Sequence, residues 1–457
     1  MTTFGIEEEF FFLDPIAMHP ADVGEPVYRR LSADPKWSAL AKREFLASQI
    51  EHASAVFTSM ADAATELHAF RREVAADAGR YGVSAAGVGT PPDAHSFPSI
   101  TDTERYHRVV RDMAGIIADH QMSGLHVHVG VPSREHGVAA LNSVRPWLPL
   151  LTAMSGNSPF WRGNDTGYTS WRTIQLRRWT TSGCPPRFAD AADYDRRLRQ
   201  LLGIGGTTDL ALIAWNVRLS EHLPTIEFRL ADAQLTADDT LLIAALCRAL
   251  VVRAIEDVEA GGTAEQPHDA VAASFVADLP PELLSAAIVH SAHTGLGAEA
   301  FDPAAGALAP AADVVWSLLA YVDEQLTREG DRELVHELTA RMLREGTGAA
   351  RQRAAWQKNG IAGLRRLYAA TIAAPPLLSG AGGAGRPSTT DTTSTTSTPD
   401  AAGAPDAAGT PDAAGATDAA GATDAPDQPS SGDATVTPIR AARGPSASSA
   451  APPAARG

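Results

Sequence analysis

The sequence predicts an α+β fold, with strands that present one polar and one apolar face and amphipathic helices between them. Three observations carry this expectation. Stretches 4–14, 122–130 and 223–230 alternate polar and apolar residues with the two-residue period of a strand. Stretches such as 59–81 and 236–260 place apolar residues at helical spacing between capping and stop signals. From Ser379 onward the chain turns to Ala, Gly, Thr, Ser, Pro and Asp, with no aromatic residue. Such a segment cannot bury enough apolar surface to offset its ordering entropy. The expected division is therefore a folded domain over 1–375 and a disordered tail over 376–457.

Residues 4–14 read Phe-Gly-Ile-Glu-Glu-Glu-Phe-Phe-Phe-Leu-Asp. The aromatic content is that of a strand, yet it holds three consecutive carboxylates. Alternation puts Glu7 and Glu9 on one face, about 7 Å apart, and Glu8 on the other with Ile6, Phe10 and Phe12. A buried carboxylate is costly unless a cation or donors compensate it. Glu7 and Glu9 could hold a hard cation such as Mg²⁺; a solvated strand end is the plainer alternative. Glu8 requires an Arg or backbone donors on its own side.

A Pro- and Asp-containing loop is expected to about Lys36, then a second strand over 44–51 with Gln49 and Glu51 on one face. Glu51 either completes a carboxylate cluster or is a partly exposed strand residue. Residues 59–81 form an amphipathic helix through Leu67, Phe70 and Val74, with Arg71, Arg72 and Glu73 around them. A short strand runs into a turn over 83–92, and its glycines lack the context of a phosphate loop. Residues 101–120 read as a helix capped by Thr101 with Glu104 three residues on. In 122–130, His126 and His128 point to one side and Leu125, Val127 and Val129 to the other. Paired histidines on a strand suit metal or phosphate binding, or a structural role.

A helix over 132–155 is broken near Pro146 and Pro149. Residues 157–186 read as a long loop, and Arg162, Arg172, Arg177, Arg178 and Arg187 fall in or beside it. Arg recognises carboxylates and phosphates in bidentate fashion, though a Trp-anchored surface loop is the other reading. A helix over 190–203 precedes the strand 223–230, where Glu227 and Arg229 share the polar face. Thr236 caps a long helix to Ala260 with Asp239 in the box, and Cys247 within it reads as core. The rest, to about 375, is mostly helical, over 280–290, 311–328, 331–345 and 348–370. Arg351 and Arg353 there read as a solvated helix face.

The 457 residues carry a net charge of −16, which argues against a general nucleic-acid binder. No apolar run approaches the length of a membrane span, and no secretory signal opens the chain. Two isolated cysteines form no CxxC motif. A soluble, cytoplasmic protein with free thiols is expected.

The acidic, His-x-His and Glu-x-Arg strands together place carboxylates suited to Mg²⁺ and arginines suited to phosphate oxygens on one sheet face, the equipment of phosphoryl transfer. The stretches Gly5-Ile-Glu-Glu-Glu-Phe-Phe-Phe-Leu-Asp, Gly124-Leu-His-Val-His-Val, Asn157-Ser-Pro-Phe-Trp-Arg-Gly with Asp165-Thr-Gly-Tyr, and Ile226-Glu-Phe-Arg with Asp232 resemble the type 2 glutamate–cysteine ligases, or carboxylate–amine ligases. The match spans about residues 4–370, and a more distant similarity reaches glutamine synthetase. The resemblance implies a curved, mainly antiparallel sheet of glutamine-synthetase type with helices packed on one side. It implies Glu7, Glu9, His126 and Glu227 as metal ligands, joined by Glu51 from the strand reading. It implies His128 and Arg229 as phosphate contacts. From the Arg-rich loop, Arg162 and Arg172 are expected at the catalytic centre with Arg229, and Arg177 at the phosphates. The implied reaction uses ATP and Mg²⁺, with Mn²⁺ as an alternative, to join the γ-carboxylate of L-glutamate to an amino-acid amine through an acyl phosphate. L-Cysteine is the expected amine, giving γ-glutamylcysteine, ADP and phosphate. No nucleic acid or membrane partner is expected, and a homo-oligomer is compatible with the sequence. The competing readings are a phosphotransferase on the same fold and a non-catalytic metal or nucleotide sensor.

Overall fold

The computed structural model describes residues 1–94, 97–261 and 279–377. In chain order it contains β1 (Phe4–Leu13), α1 (Gly24–Ser32), β2 (Ala41–Arg43), β3 (Gln49–Ala53), α2 (Met60–Tyr81), β4 (Ser84–Ala86), α3 (Glu104–Met113) and β5 (Gly124–Gly130). Then come α4 (Arg134–Val144), α5 (Leu148–Ser155), β6 (Phe160–Trp161), β7 (Asn164–Asp165), α6 (Trp171–Leu176), α7 (Ala191–Gly203), β8 (Val217–Leu219), β9 (Thr225–Asp232) and α8 (Ala237–Glu259). The last elements are α9 (Pro281–Thr294), β10 (Glu299–Asp302), β11 (Ala307–Pro310), α10 (Ala311–Glu329), α11 (Arg332–Glu345) and α12 (Gly348–Thr371). The α12 helix breaks at Asn359 and Gly360, which leave helical φ/ψ. No helix of the described residues is long and apolar enough to cross a membrane. Apart from Pro376 and Leu377, the expected tail lies outside the described residues.

The main sheet has the order β2-β3-β1-β5-β9-β8, with β4 also on β1. Every pairing in it is antiparallel. Alternation gives it two unlike faces. Phe4, Ile6, Leu125, Val127, Val129, Ile226, Phe228 and Leu230 point to one side and share a core with α4 and α8. Phe10 and Phe12 continue that side against Phe70 and Val74 of α2. Each such fully buried apolar side chain contributes about 1.5–3 kcal/mol. The α8 helix is buried almost all round because α10 and α11 cover its outer side. Its cap is Thr236, which accepts the Asp239 N–H, as the sequence predicts.

Glu8 also points into the helical layer. Arg71 of α2 meets both its oxygens, and Thr240 of α8 donates to Oε1 at 2.6 Å. The same guanidinium donates to the carbonyls of Gln234 and Leu235, each at 3.1 Å. One ion pair therefore fastens β1, α2 and α8 together. The compensating Arg that Glu8 requires is one that helical periodicity groups with solvated residues.

Some expectations are corrected. The loop before Lys36 contains α1, because Pro26 lies in its first turn, where a missing N–H costs nothing. The expected strand 44–51 is displaced to Gln49–Ala53, and 44–48 is irregular, with an isolated bridge at Leu46 and a turn at 47–48. The cap of α3 is Thr103, not Thr101, with its hydroxyl 3.3 Å from the Tyr106 N–H. The three-residue strands β2 and β8 are too short to show a period.

Candidate active site

The face of the sheet opposite α8 carries the polar side chains. In register, Glu7 of β1 lies opposite His126 of β5, and His128 lies opposite Glu227 of β9. His126 Nδ1 sits 2.8 Å from Glu7 Oε2 and 3.9 Å from Glu227 Oε1. One ligand atom from each of Glu7, His126 and Glu227 lies within 4.8 Å of the others. Two carboxylates and an imidazole at this spacing can hold a divalent cation.

The surrounding charges set the protonation states. Burial pushes Glu7 up, but its contacts with His126 and His128 outweigh this and hold it well below the usual carboxylate range. Burial, then the Arg229 charge, push His126 down to about 4, so its ring is neutral near pH 7 and able to ligate. His128 moves the other way: burial lowers it, yet the bond to Glu7 prevails. Its Nε2 lies 3.3 Å from Glu7 Oε1, and its Nδ1 lies 3.1 Å from Thr225 Oγ1. Glu227 is buried, and burial alone would raise it. Arg229 and Arg218 outweigh that and hold it at about 2. Arg218 Nε donates to Glu227 Oε2 at 2.8 Å, and Arg229 pairs with Oε1.

A second group lies beside the first. Glu9 faces Glu51 across β1 and β3, and Glu51 shares a hydrogen bond with Glu44. Glu9 Oε2 accepts the Gly124 N–H at 2.8 Å. Burial, with the Glu44 charge next, pushes Glu9 up to about 8 despite Arg172. Burial and the neighbouring carboxylates push Glu51 well up, and burial raises Glu44 too. Glu44 raises both Glu9 and Glu51, and Glu9 raises Glu51 as well, so the group is short of positive charge. Sequence reasoning placed Glu51 here and missed Glu44, because irregular backbone after β2 rather than strand alternation delivers it.

The 157–187 segment is built around Asp232, at the end of β9. Its carboxylate accepts from the Asn157 N–H (2.8 Å), the Ser158 hydroxyl (2.7 Å) and the Ser170 hydroxyl (2.8 Å). Gln352 and Tyr368 of α12 extend this network to Asn157. A Cβ on Gly89 would stand 2.5 Å from Asp232 Cγ, which explains the glycine there.

The loop arginines divide. Arg172 is buried and donates to the carbonyls of Arg229 and Leu230, each at 3.2 Å. These lie at a register shift between β5 and β9, so Arg172 holds the bulge that aims Arg229. A Cβ at Gly124 would lie 2.5 Å from a terminal nitrogen of this guanidinium, so a larger residue there would shift the Arg172 head group. Arg162 is half exposed and pairs with Asp119, which Arg178 also binds. Arg177 is exposed. The structure thus brings Arg172 next to the sheet site, while Arg162 meets Asp119 rather than the sheet carboxylates. Arg351 and Arg353 are not a solvated face: Arg351 pairs with Asp239, and Arg353 grips Asp165 in bidentate fashion at 2.7 and 2.8 Å.

Residues 3–370 match the family model for glutamate–cysteine ligase family 2. The chain is 38% identical over 362 residues to a Salinispora tropica protein named "Putative glutamate--cysteine ligase 2", covering 78% of this chain and 91% of that one. It is 36% identical over 373 residues to the "Putative glutamate--cysteine ligase 2-2" of Saccharopolyspora erythraea, covering 81% and 92%. Its fold is similar to the glutamate–cysteine ligase of Francisella tularensis in complex with AMP, with TM-score 0.56 at 13% identity over 82% of this chain and 89% of that one. It is also similar to a bifunctional glutathione synthetase from Pasteurella multocida, with TM-score 0.54 at 14% identity over 81% of this chain and 52% of that one.

Proposed function

Since the chain belongs to glutamate–cysteine ligase family 2 and is a ligase, we propose that it joins the γ-carboxylate of L-glutamate to the amine of an amino acid at the expense of ATP. L-Cysteine is the proposed amine, and γ-glutamylcysteine the product. The observation that carries this reading is the convergence of Glu7, His126 and Glu227 from three adjacent strands, flanked by cationic groups on one side and by Glu9, Glu44 and Glu51 on the other.

The residues fit divalent cations. Glu7, neutral His126 and Glu227 would hold one, and Glu9, Glu44 and Glu51 offer the oxygen donors and unbalanced charge for another. Bound Mg²⁺ or Mn²⁺ would neutralise polyphosphate charge and polarise the transferred phosphoryl group. The chain's own part is alignment and electrostatics. His128 and Arg229 stand on the same face as Glu7 and would contact phosphate oxygens. Arg172 acts one step back, by fixing the backbone that carries Arg229.

In the proposed reaction a glutamate γ-carboxylate oxygen attacks the γ-phosphorus of ATP, releasing ADP. The free amine then attacks the acyl carbon. A C–N bond forms, the C–O bond to phosphate breaks, and phosphate leaves with the electron pair while the amine loses a proton. Both cysteines are buried and unpaired, which supports a reducing, cytoplasmic setting.

Purified full-length protein with ATP, Mg²⁺, L-glutamate and a panel of amino acids is expected to release phosphate and form γ-glutamyl products, detected by mass spectrometry. ADP formed with glutamate alone and unaffected by any amine would favour a phosphotransferase. An absence of glutamate-dependent ADP would remove the proposal.

A further inference from the structure

Asn216 stands immediately before β8, the strand beside Glu227 and Arg229. Register fixes its position. Val217 pairs with Phe228 and Arg218 with Glu227, and the Arg229 N–H donates to the Asn216 carbonyl at 2.8 Å. Asn216 is therefore directly opposite Arg229. Parity fixes its face. Trp215, Val217 and Leu219 all join the apolar core, so Asn216 and Arg218 share the other face with Glu227 and Arg229. The Asn216 N–H donates to the Gly183 carbonyl at 2.9 Å, which pins the residue between the sheet and the end of the 157–187 segment.

Asn216 is only 7% exposed, and its buried Oδ1 meets no donor among the described residues. The guanidinium groups on this face are engaged elsewhere. Arg218 donates to Glu227 and to the carbonyls of Leu210 and Ala211, and Arg229 pairs with Glu227. Leaving a buried acceptor unpaired is costly. An apolar side chain of similar size would pack there without that cost, so the carboxamide points to a partner from outside the chain.

The neighbours select the chemistry of that partner. Phosphate and ionised carboxylate oxygens are acceptors, which suits Arg229 but cannot satisfy Oδ1. An amino group can. Asn216 is also diagonal to Glu227, a proposed metal ligand, and diagonal neighbours on paired strands lie about 7–8 Å apart. A ligand of amino-acid size can therefore reach Oδ1 from the metal-binding group.

We propose that Asn216 Oδ1 accepts an N–H from the amino group of an amino-acid substrate, and so separates an amino acid from the matching acid that lacks the amine. This deepens the ligase reading above and rests on it. Both organic substrates of that reaction carry such a group, L-glutamate on its α-carbon and the acceptor as its nucleophile.

The test pairs each amino acid with its amine-free analogue: L-glutamate with glutarate, and L-cysteine with 3-mercaptopropionate. Equilibrium binding in the presence of Mg²⁺ and ADP, melting temperature and steady-state kinetics are measured on the full chain, on N216L and on N216A. The wild type is expected to bind at least one amino acid about tenfold more tightly than its analogue, and both variants to lose that preference. Loss confined to the glutamate pair assigns the bond to the α-amine of glutamate; loss confined to the cysteine pair assigns it to the acceptor. KM for ATP should stay within about twofold. N216L should melt at or above the wild-type temperature, because a buried acceptor without a protein donor has been removed. Preferences unchanged in both variants overturn the inference. A rise confined to KM for ATP overturns it by assigning Oδ1 to the nucleotide. A lower melting temperature in both variants with an equal loss toward every substrate overturns it by assigning Asn216 to packing. If the wild type forms glutamate-dependent ADP while both preferences survive in N216L, the ligase reading stands and this inference alone falls. If no glutamate-dependent ADP forms, the ligase reading fails by itself, and binding still decides Asn216: a wild type with no preference for amino acid over analogue overturns the inference.

Discussion

Glu7, Glu8 and Glu9 are consecutive on one strand, and the two faces of that strand treat a carboxylate in opposite ways. Glu8 is buried and fully supplied: Arg71 takes both oxygens and Thr240 adds a hydroxyl. Glu9 faces Glu51 and Glu44, with the backbone N–H groups of Gly124 and Phe45 and the charges of Arg172, Arg229 and Arg105 to offset them. Glu7 rests on two histidines, with 31% of its side chain open to solvent. The first arrangement closes on itself and leaves nothing for a ligand. The second is incomplete without further positive charge. A carboxylate with all its partners in the protein is architecture, and one short of partners marks a site.

The largest effect is expected on the closed side. Arg71→Ala would strand the Glu8 carboxylate among aromatic side chains and uncap two backbone carbonyls. Removing one partner of a buried pair costs about 3–5 kcal/mol. Urea unfolding of the variant should show that loss, with activity per folded molecule little changed. A loss under about 1 kcal/mol would mean that Glu8 is not held as described.

Alternation alone separated these faces. It put Glu7, Glu9, His126, His128, Glu227 and Arg229 on one side and Glu8 on the other, because a strand's period is local and survives any topology. It was silent where long-range geometry decides. Arg71 falls among the charged residues around the apolar positions of α2, and nothing in its own sequence reports that α8 closes over it. Glu44 joins the acidic group from irregular backbone after β2, which breaks the parity that flagged Glu51. Arg172 reads as an anion ligand and does stand 4.0 Å from the Asp232 carboxylate, but it also donates to backbone carbonyls at a register shift, and a shift leaves no signature in side-chain chemistry. Arg218 lies on a strand too short to have a period.

On the open side the expectation reverses. Glu7→Gln should lower ATP turnover about 100-fold, the scale of losing one positioned electrostatic group, with little change in melting temperature. Glu51→Gln should leave the metal-free protein as stable as wild type or slightly more so, within about 1 kcal/mol, because burial and the neighbouring carboxylates already oppose ionisation of Glu51. Its cost should appear as weaker Mg²⁺ dependence of turnover. If Glu51→Gln unfolded the protein as Arg71→Ala does, the two faces would not differ in kind and the comparison would break.

The smallest effect is a proton count. Glu9, pushed up to about 8 in the metal-free fold, binds its proton more tightly than in the unfolded chain. That contribution to stability is present at acid pH and is lost as pH rises from the usual carboxylate range toward about 8. A cation among Glu9, Glu44 and Glu51 needs ionised oxygens, so its binding must expel protons. Calorimetric titration with Mg²⁺ near pH 7, in buffers of different ionisation enthalpy, should register net proton release, and Mg²⁺ affinity should rise with pH until about 8. Mg²⁺ binding without proton release would mean that these three carboxylates are ionised before the cation arrives, and that the open face is compensated by groups other than those around it.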